Sequence, residues 1–355
     1  MRKLGWLVRF VAAASVAEPL VAQDPPKPAK DIAAPERLFR SREPLELTLR
    51  APFGELFKDR DTLKVKEMDG VIELTDDKKG AQTLPVKLET RGHFRLRRTT
   101  CSFAPLKVSF DKATTKGTAF NDQKSLKLVT HCQDNARHQQ NLLVEESIYR
   151  MYNAVSAASH RTRLAKIRYV PTDDTTKAVS RFGFFIEDDD DMAKRNGGKL
   201  LMQTGAAFSD MEPGLMDLVA MFQYMVGNTD WSVFAIHNIR LIDVGTGGGG
   251  YYLPVAYDFD FSGLVGAPYA SPDPRLPIKS VKARLYRGPC RKLEALEPTI
   301  ELFRSRRDSI YAAVKDSPHL EPGRAKNAVE YLDGFFEEIS RPKGLNDALG
   351  YACRG

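Results

Sequence analysis

The hydrophobic period of this chain changes part-way along, and that change limits its fold more than any other feature. Over residues 45–128 polar and apolar positions alternate, as in Leu45-Glu46-Leu47-Thr48-Leu49, Gly70-Val71-Ile72-Glu73-Leu74, Pro85-Val86-Lys87-Leu88-Glu89-Thr90 and Leu106-Lys107-Val108-Ser109-Phe110. Residues 124–129 close the set. Period two marks strands that bury one face, so an antiparallel sheet with one wet face is expected. Val144, Ile148, Met151, Tyr152 and Val155 then recur at helical spacing, with Glu145 and Glu146 at the edge of the stripe. Two more extended runs, 166–170 and 181–186, lead into the acidic residues 187–191, a junction expected to cap the next helix. From about residue 213 the helical period dominates. Leu215, Leu218, Val219, Phe222 and Val226 form a stripe, and Gly227 stands where a C-terminal glycine belongs. Residues 239–242 and 251–256 read as a hairpin, and residues 291–316 and 324–340 as closing helices.

At 355 residues with 42% hydrophobic content, the chain can bury one large core or two smaller lobes that share a cleft. Arg2 and Lys3, the mostly apolar run from Leu4 to Ala17, and Leu20-Val21-Ala22 predict a secretory leader over residues 1–22. Pro25, Pro26, Pro28 and Pro35 mark residues 23–40 as an extended linker. No later segment has the roughly 20 uninterrupted apolar residues that a membrane span requires. Cleavage removes Arg2, Lys3, Arg9 and Glu18 with the leader, lowering the formal charge from +7 to +5. That mild excess argues against a nucleic-acid partner, because Arg95, Arg97 and Arg98 form the only dense basic cluster before the C-terminal third. Four cysteines in an exported chain predict disulfides, Cys101 with Cys132 and Cys290 with Cys353, and their spacing does not suit a metal site. The glycine-rich stretch 245–250 lacks the Lys and the Ser or Thr of a phosphate loop and reads as a hairpin loop.

Two short motifs carry the chemistry. Gly227-Asn228-Thr229-Asp230 with His237-Asn238 follows the apolar helix, and Asp258-Phe259-Asp260-Phe261 follows the hairpin. Phosphoryl transfer needs one carboxylate to take the hydroxyl proton, and an Asn with further carboxylates to hold a cation on the phosphates. Asp230 suits the first role. Asn238 suits the second, and so do Asp258 and Asp260, whose side chains share one face if residues 255–260 form a strand. Mg²⁺ or Mn²⁺ is the expected metal.

In their order these segments resemble the CotH-type spore-coat kinases and, more distantly, the HipA group, over most of residues 85–265. The resemblance rests on Arg91-Gly92-His93, on Leu106-Lys107-Val108-Ser109-Phe110-Asp111-Lys112, on Leu126-Lys127-Leu128 with the helix around Glu145, on Phe182-Gly183-Phe184-Phe185-Ile186-Glu187, and on the two motifs above. It implies that Asp230 is the catalytic aspartate, with Asn238 and Asp258 or Asp260 as metal ligands. It also implies that Lys107 contacts nucleotide phosphates, that Glu145 or Glu146 pairs with that lysine, that Arg91 supports the phosphate-side turn, and that Glu187 lies at the hinge. The chain departs from the pattern in three places. Asn238 follows Asp230 by eight residues where protein kinases place the pair five apart, so residues 232–236 must loop out. His93 replaces an Asn. Arg95, Arg97 and Arg98 stand where serines are expected.

The expected architecture is therefore α+β, a bilobal protein-kinase-like fold with a β-rich N-lobe over residues 41–187 and a mainly helical C-lobe over 188–355. The expected function is an exported, periplasmic or secreted phosphotransferase. It would take ATP or another nucleotide as donor and a hydroxyl compound, a protein included, as acceptor. The alternative is an envelope protein of the same shape that holds a ligand without catalysis. A metal-dependent hydrolase is the weaker third option, since no histidine-rich ligand set accompanies the aspartates.

Overall fold

The computed structural model describes residues 35–58, 60, 66–76, 80–245 and 251–341. The expected leader, most of the linker, residues 246–250 of the glycine-rich loop and Cys353 lie outside them. Ten strands are described: β1 (Leu45–Ala51), β2 (Met68–Asp76), β3 (Gly80–Thr90), β4 (Leu106–Phe110), β5 (Ser125–Val129), β6 (Thr162–Pro171), β7 (Val179–Ile186), β8 (Lys199–Leu201), β9 (Ile239–Asp243) and β10 (Tyr252–Ala256). The helices are α1 (Phe53–Leu56), α2 (Lys112–Thr115), α3 (Ala136–Val155), α4 (Asp189–Arg195), α5 (Pro213–Val226), α6 (Leu293–Ser305), α7 (Arg307–Lys315) and α8 (Pro322–Ile339).

The first seven strands form a closed barrel in the order β1-β2-β3-β4-β5-β7-β6. Antiparallel pairs make up most of it, and the barrel shuts where β1 runs parallel to β6, from Leu45 opposite Ala165 to Ala51 opposite Pro171. Alternate residues fill the interior, including Leu47, Leu49, Ile72, Leu88, Val108, Leu128 and Ile167, all buried. A small antiparallel sheet, β10-β9-β8, lies apart from it among the helices. This arrangement overturns the bilobal kinase-like expectation. A sheet with one wet face and a barrel produce the same period-two pattern, since each strand buries one face in both, and the pattern is silent on whether the edges meet.

Two hydrophobic cores result. One fills the barrel; the other joins α3 with α5, α6, α7 and α8 and the three-stranded sheet. Helix α3 belongs with the second core, and the described residues fall in one compact unit. Part of the expected linker is also structured. Arg37–Arg40 form a 3₁₀ turn whose Leu38 and Phe39 are buried in the barrel core. The expected helix over 291–316 is broken at Arg306 into α6 and α7. The seven expected strands and the hairpin are present, with β8 as an additional short strand. No helix among the described residues is long and apolar enough to cross a membrane.

Cys101 and Cys132 are disulfide-bonded across 31 residues. Both are buried, and Phe103 pairs with Cys132 in an isolated bridge beside them. Closing a loop of that length removes unfolded-state entropy worth about 3–4 kcal/mol in the chain-entropy model. Replacing both cysteines by alanine is expected to lower the unfolding free energy by about that amount. Urea titration of the two proteins under oxidising conditions measures it, and identical midpoints would refute a structural role for the bond.

Candidate functional site

The first motif is held by the end of α5. Glu212 caps the helix by accepting from the Gly214 and Leu215 amides, and Pro213 supplies the first-turn φ. Gly227 ends it in the left-handed region at φ +67°, where a Cβ would also collide with the Tyr331 hydroxyl. From that turn two backbone hydrogen bonds reach the second motif. Gly263 N donates to Gly227 O and Leu264 N donates to Val226 O, both at 3.1 Å. The two motifs, about thirty residues apart in sequence, are thus stitched together at their stems.

Asn228 Oδ1 accepts from the Asp230 amide at 3.0 Å, and Arg287 donates to the carbonyls of Thr229 and Trp231. The Asp230 carboxylate, 40% exposed, meets His237 Nε2 at 3.0 Å and accepts from Asn238 Nδ2 at 3.1 Å. Asn238 Nδ2 also donates to the Asp230 carbonyl at 2.7 Å. The long spacing between Asp230 and Asn238 is explained by residues 232–236. Ser232 and His237 exchange backbone hydrogen bonds at 2.9 Å, closing a turn that returns the chain to Asp230. Ile236 and Asn238 take positive φ to make that return. The hydrogen bond to Asp230 raises the His237 pKa, and the charges of Asp230 and Asp258 add to it against partial burial.

The second motif is not a strand, as expected, but a turn. β10 ends at Ala256, and Asp258 adopts φ +61° with its amide donating to Tyr149 Oη at 2.9 Å. Phe259 is fully buried edge-on to Tyr149, with ring centroids 4.9 Å apart, and packs on Phe222. This anchor leaves Asp258 and Asp260 on either side of it. Asp260 is 6% exposed and accepts from Tyr269 Oη at 3.0 Å, beneath the rings of Phe94, Phe261 and Tyr269. Burial, followed by the charge of Asp258, pushes the Asp260 pKa up to about 7, and Asp230 adds to the push. Glu145, on the face of α3 turned to this turn, is raised well above the usual range by burial and then by Asp260.

Arg95 is the counter-charge. It is half-buried with its Nε shut off from solvent, donates to Thr130 O at 2.5 Å, and its pKa is pulled down by burial but pushed up overall by Tyr269, Glu145, Asp260 and Asp258. Arg91 faces the same acids, since its charge lowers the pKa of Glu145 and Tyr149. Asp230, Asp258, Asp260 and Glu145 with Arg91 and Arg95 therefore form one electrostatic cluster.

Other expected site residues lie outside it. Lys107 Nζ pairs with Glu89 at 3.2 Å because the two face each other across β3 and β4, so it does not meet Glu145 or Glu146. Glu146 accepts from Arg150 Nε at 2.8 Å and Thr162 Oγ1 at 3.0 Å. Glu187 is locked in a buried bidentate pair with Arg195, at 2.9 and 2.8 Å, and accepts from the Arg161 amide. In the acidic run, Asp188 caps α4 as expected, while Asp189 turns inward. It binds Lys127 Nζ at 2.6 Å, His160 Nε2 at 3.0 Å and Arg240 Nε at 2.8 Å. Burial would raise its pKa, but these partners hold it far below the carboxylate range. Lys127, its own pKa lowered by burial, and Arg240 both lie over the ring of Tyr257, the neighbour of Asp258.

A divalent cation fits this chemistry in one form only. Among the described residues no three His, Cys, Asp or Glu side chains converge as a complete ligand set. Mg²⁺ is nevertheless commonly held by one or two carboxylates, with water and phosphate oxygens completing its shell. Asp258 and Asp260, crowded and short of positive charge, suit that role. A scan of protein-family models finds none that matches this chain, and no curated protein is similar to it.

Asp260 binds its proton more tightly when folded, so its contribution to stability is complete below pH 3.8 and is lost as pH rises to about 7. Asp260→Asn keeps the shape without the charge. In the presence of a chelator, its urea midpoint is expected to fall less than that of the wild type across this range. Parallel pH profiles for the two proteins would contradict the assignment.

Proposed function

We propose that the protein is a divalent-cation-dependent phosphotransferase, moving a phosphoryl group from a nucleotide to a hydroxyl acceptor. The supporting observation is the acid cluster itself, in which Asp260 and Glu145 are buried, with the stems of two distant aspartate motifs hydrogen-bonded to each other. Asp258 and Asp260 are assigned to hold the cation, and Asn238 Oδ1 joins them because its Nδ2 is committed to Asp230. Such a cation, when bound, neutralises charge on phosphate oxygens. Asp230 accepts the proton of the acceptor hydroxyl, and His237 and Asn238 fix the direction of its carboxylate. Arg91 supplies positive charge for phosphate oxygens in place of Lys107, whose ammonium is paired with Glu89, and of Lys127, whose ammonium is paired with Asp189.

The resemblance to CotH-type kinases enters as a likeness of motif order. The proposal takes over the chemistry of those motifs and not a bilobal fold, because function belongs to the site. The disulfide Cys101–Cys132 suits folding outside a reducing compartment, and export is part of the same proposal.

Thermal-shift measurements with ATP, GTP and other phosphate donors, each with and without Mg²⁺ or Mn²⁺, are expected to show stabilisation that needs both donor and metal. Asp230→Ala is expected to keep that stabilisation and to lower turnover roughly a hundred- to ten-thousandfold. Asp258→Asn with Asp260→Asn is expected to abolish the metal-dependent shift. Absence of any donor effect overturns the proposal. Donor binding without transfer to any hydroxyl compound leaves a ligand-holding protein in its place.

A further inference from the structure

Helix α3 presents a second polar face that the acid cluster does not use. Arg150 lies five residues beyond Glu145, about 140° further round the helix axis. Beside it a cavity of about 260 Å³ opens between the 3₁₀ turn Arg37–Arg40, the C-terminal part of α3 and the start of β6. Four arginines line it, Arg40, Arg42, Arg150 and Arg161, together with Asn153 and Thr162. No carboxylate lines it among the described residues. It continues into a wider groove of about 680 Å³, which shares Arg42, Arg150 and Asn153, adds Arg306, and is bordered by Glu43 and Asp316.

Three of the four guanidinium groups are already oriented. Arg40 Nε donates to the Pro35 carbonyl at 2.8 Å, Arg150 Nε to Glu146 Oε1 at 2.8 Å, and Arg161 Nη1 to Ser159 Oγ at 3.0 Å. Arg42 makes no side-chain hydrogen bond or ion pair among the described residues. Among the described residues each oriented group is tied through one nitrogen and keeps further N–H donors unused. Like charges gathered in a recess repel, and here the one acid that anchors any of them, Glu146 on Arg150, is not part of the lining. The unused donors therefore call for a ligand that is small, negatively charged and rich in acceptor oxygens. Guanidinium forks match phosphoryl oxygens in both geometry and charge.

We propose that this cavity is a binding site for a small phosphate-bearing anion, separate from the acid cluster on the opposite side of α3. The wider groove leaves room for the rest of such a molecule. The proposal does not depend on the phosphotransferase reading.

Pyrophosphate, with a chelator present so that no metal bridges it to the aspartates, is the probe. Calorimetric titration and thermal shift are expected to show saturable binding that sodium chloride of equal ionic strength does not reproduce. Arg42→Glu combined with Arg161→Gln is expected to weaken binding about tenfold or more. Arg42→Ala alone, at an exposed position that the fold does not require, is expected to weaken it in the same direction. The Asp258→Asn, Asp260→Asn protein is expected to bind as the wild type does. The proposal is overturned if millimolar pyrophosphate has no effect beyond that of the salt. It is also overturned if the arginine variants bind as tightly as the wild type, or if binding is lost with the aspartates and kept without the arginines.

Discussion

A half-buried arginine set among acids organises this molecule. Arg95 projects from the segment after β3, donates to the carbonyl of Thr130 at the end of β5, and faces Glu145 of α3 and the aspartates of the 258–260 turn. Each contact lies on a different element, and together they span the barrel and the helical core. The dependence is mutual. A guanidinium partly withdrawn from water is stabilised by acids that neutralise it, and acids this close together are stabilised by a cation among them. The Cys101–Cys132 bond secures the arrangement covalently, by pinning the segment that carries Arg95 beside the strand end that receives its hydrogen bond.

Much of the local structure was legible in the sequence, and the reason is physical. Leu215, Leu218, Val219, Phe222 and Val226 bury a helical face wherever that helix is placed, and Gly227 adopts the left-handed turn that its position implies. Barrel closure was not legible, because the pairing of β1 with β6 is decided between strands and leaves no mark on the alternation within either. The same limit explains Lys107. Its partner is set by register, which puts Glu89 opposite it, and no spacing along one strand encodes that. Arg95 was hidden for another reason. A run of arginines ordinarily marks a solvated surface, and only the fold separates Arg95, half-buried among acids, from Arg98, which binds the carbonyls of Phe57 and Lys58 at the exterior. Tyr149, which holds the Asp258 amide, lies one position from the apolar stripe of α3 and carries no signal apart from it.

The two aspartate motifs were visible as motifs, while their geometry was not. A strand through Asp258 and Asp260 would have set both side chains on one face. Instead Phe259 is driven into the core between Tyr149 and Phe222, and the backbone turns to let it enter. Burial of one ring thereby sets the directions of two acids. Next to them the Asp189 network presents the opposite balance, one carboxylate shared among Lys127, His160 and Arg240. An acid-rich cluster and a base-rich network thus meet at Tyr257 and Asp258.

The parallel seam of the barrel has a consequence for how the chain reaches this state. β1 and β6 lie about 120 residues apart in sequence, and β1 has its antiparallel neighbour β2 close at hand. As the polypeptide emerges from its N-terminus, the meander from β1 to β5 can assemble early, but it must carry a bare flank until β6 arrives. During that interval the unsatisfied amides and carbonyls of β1 are open to any extended segment, including another copy of the same chain. Sealing the barrel is therefore a late event, and the period before it is when this protein is most exposed to mispairing and most in need of protection while it is being made.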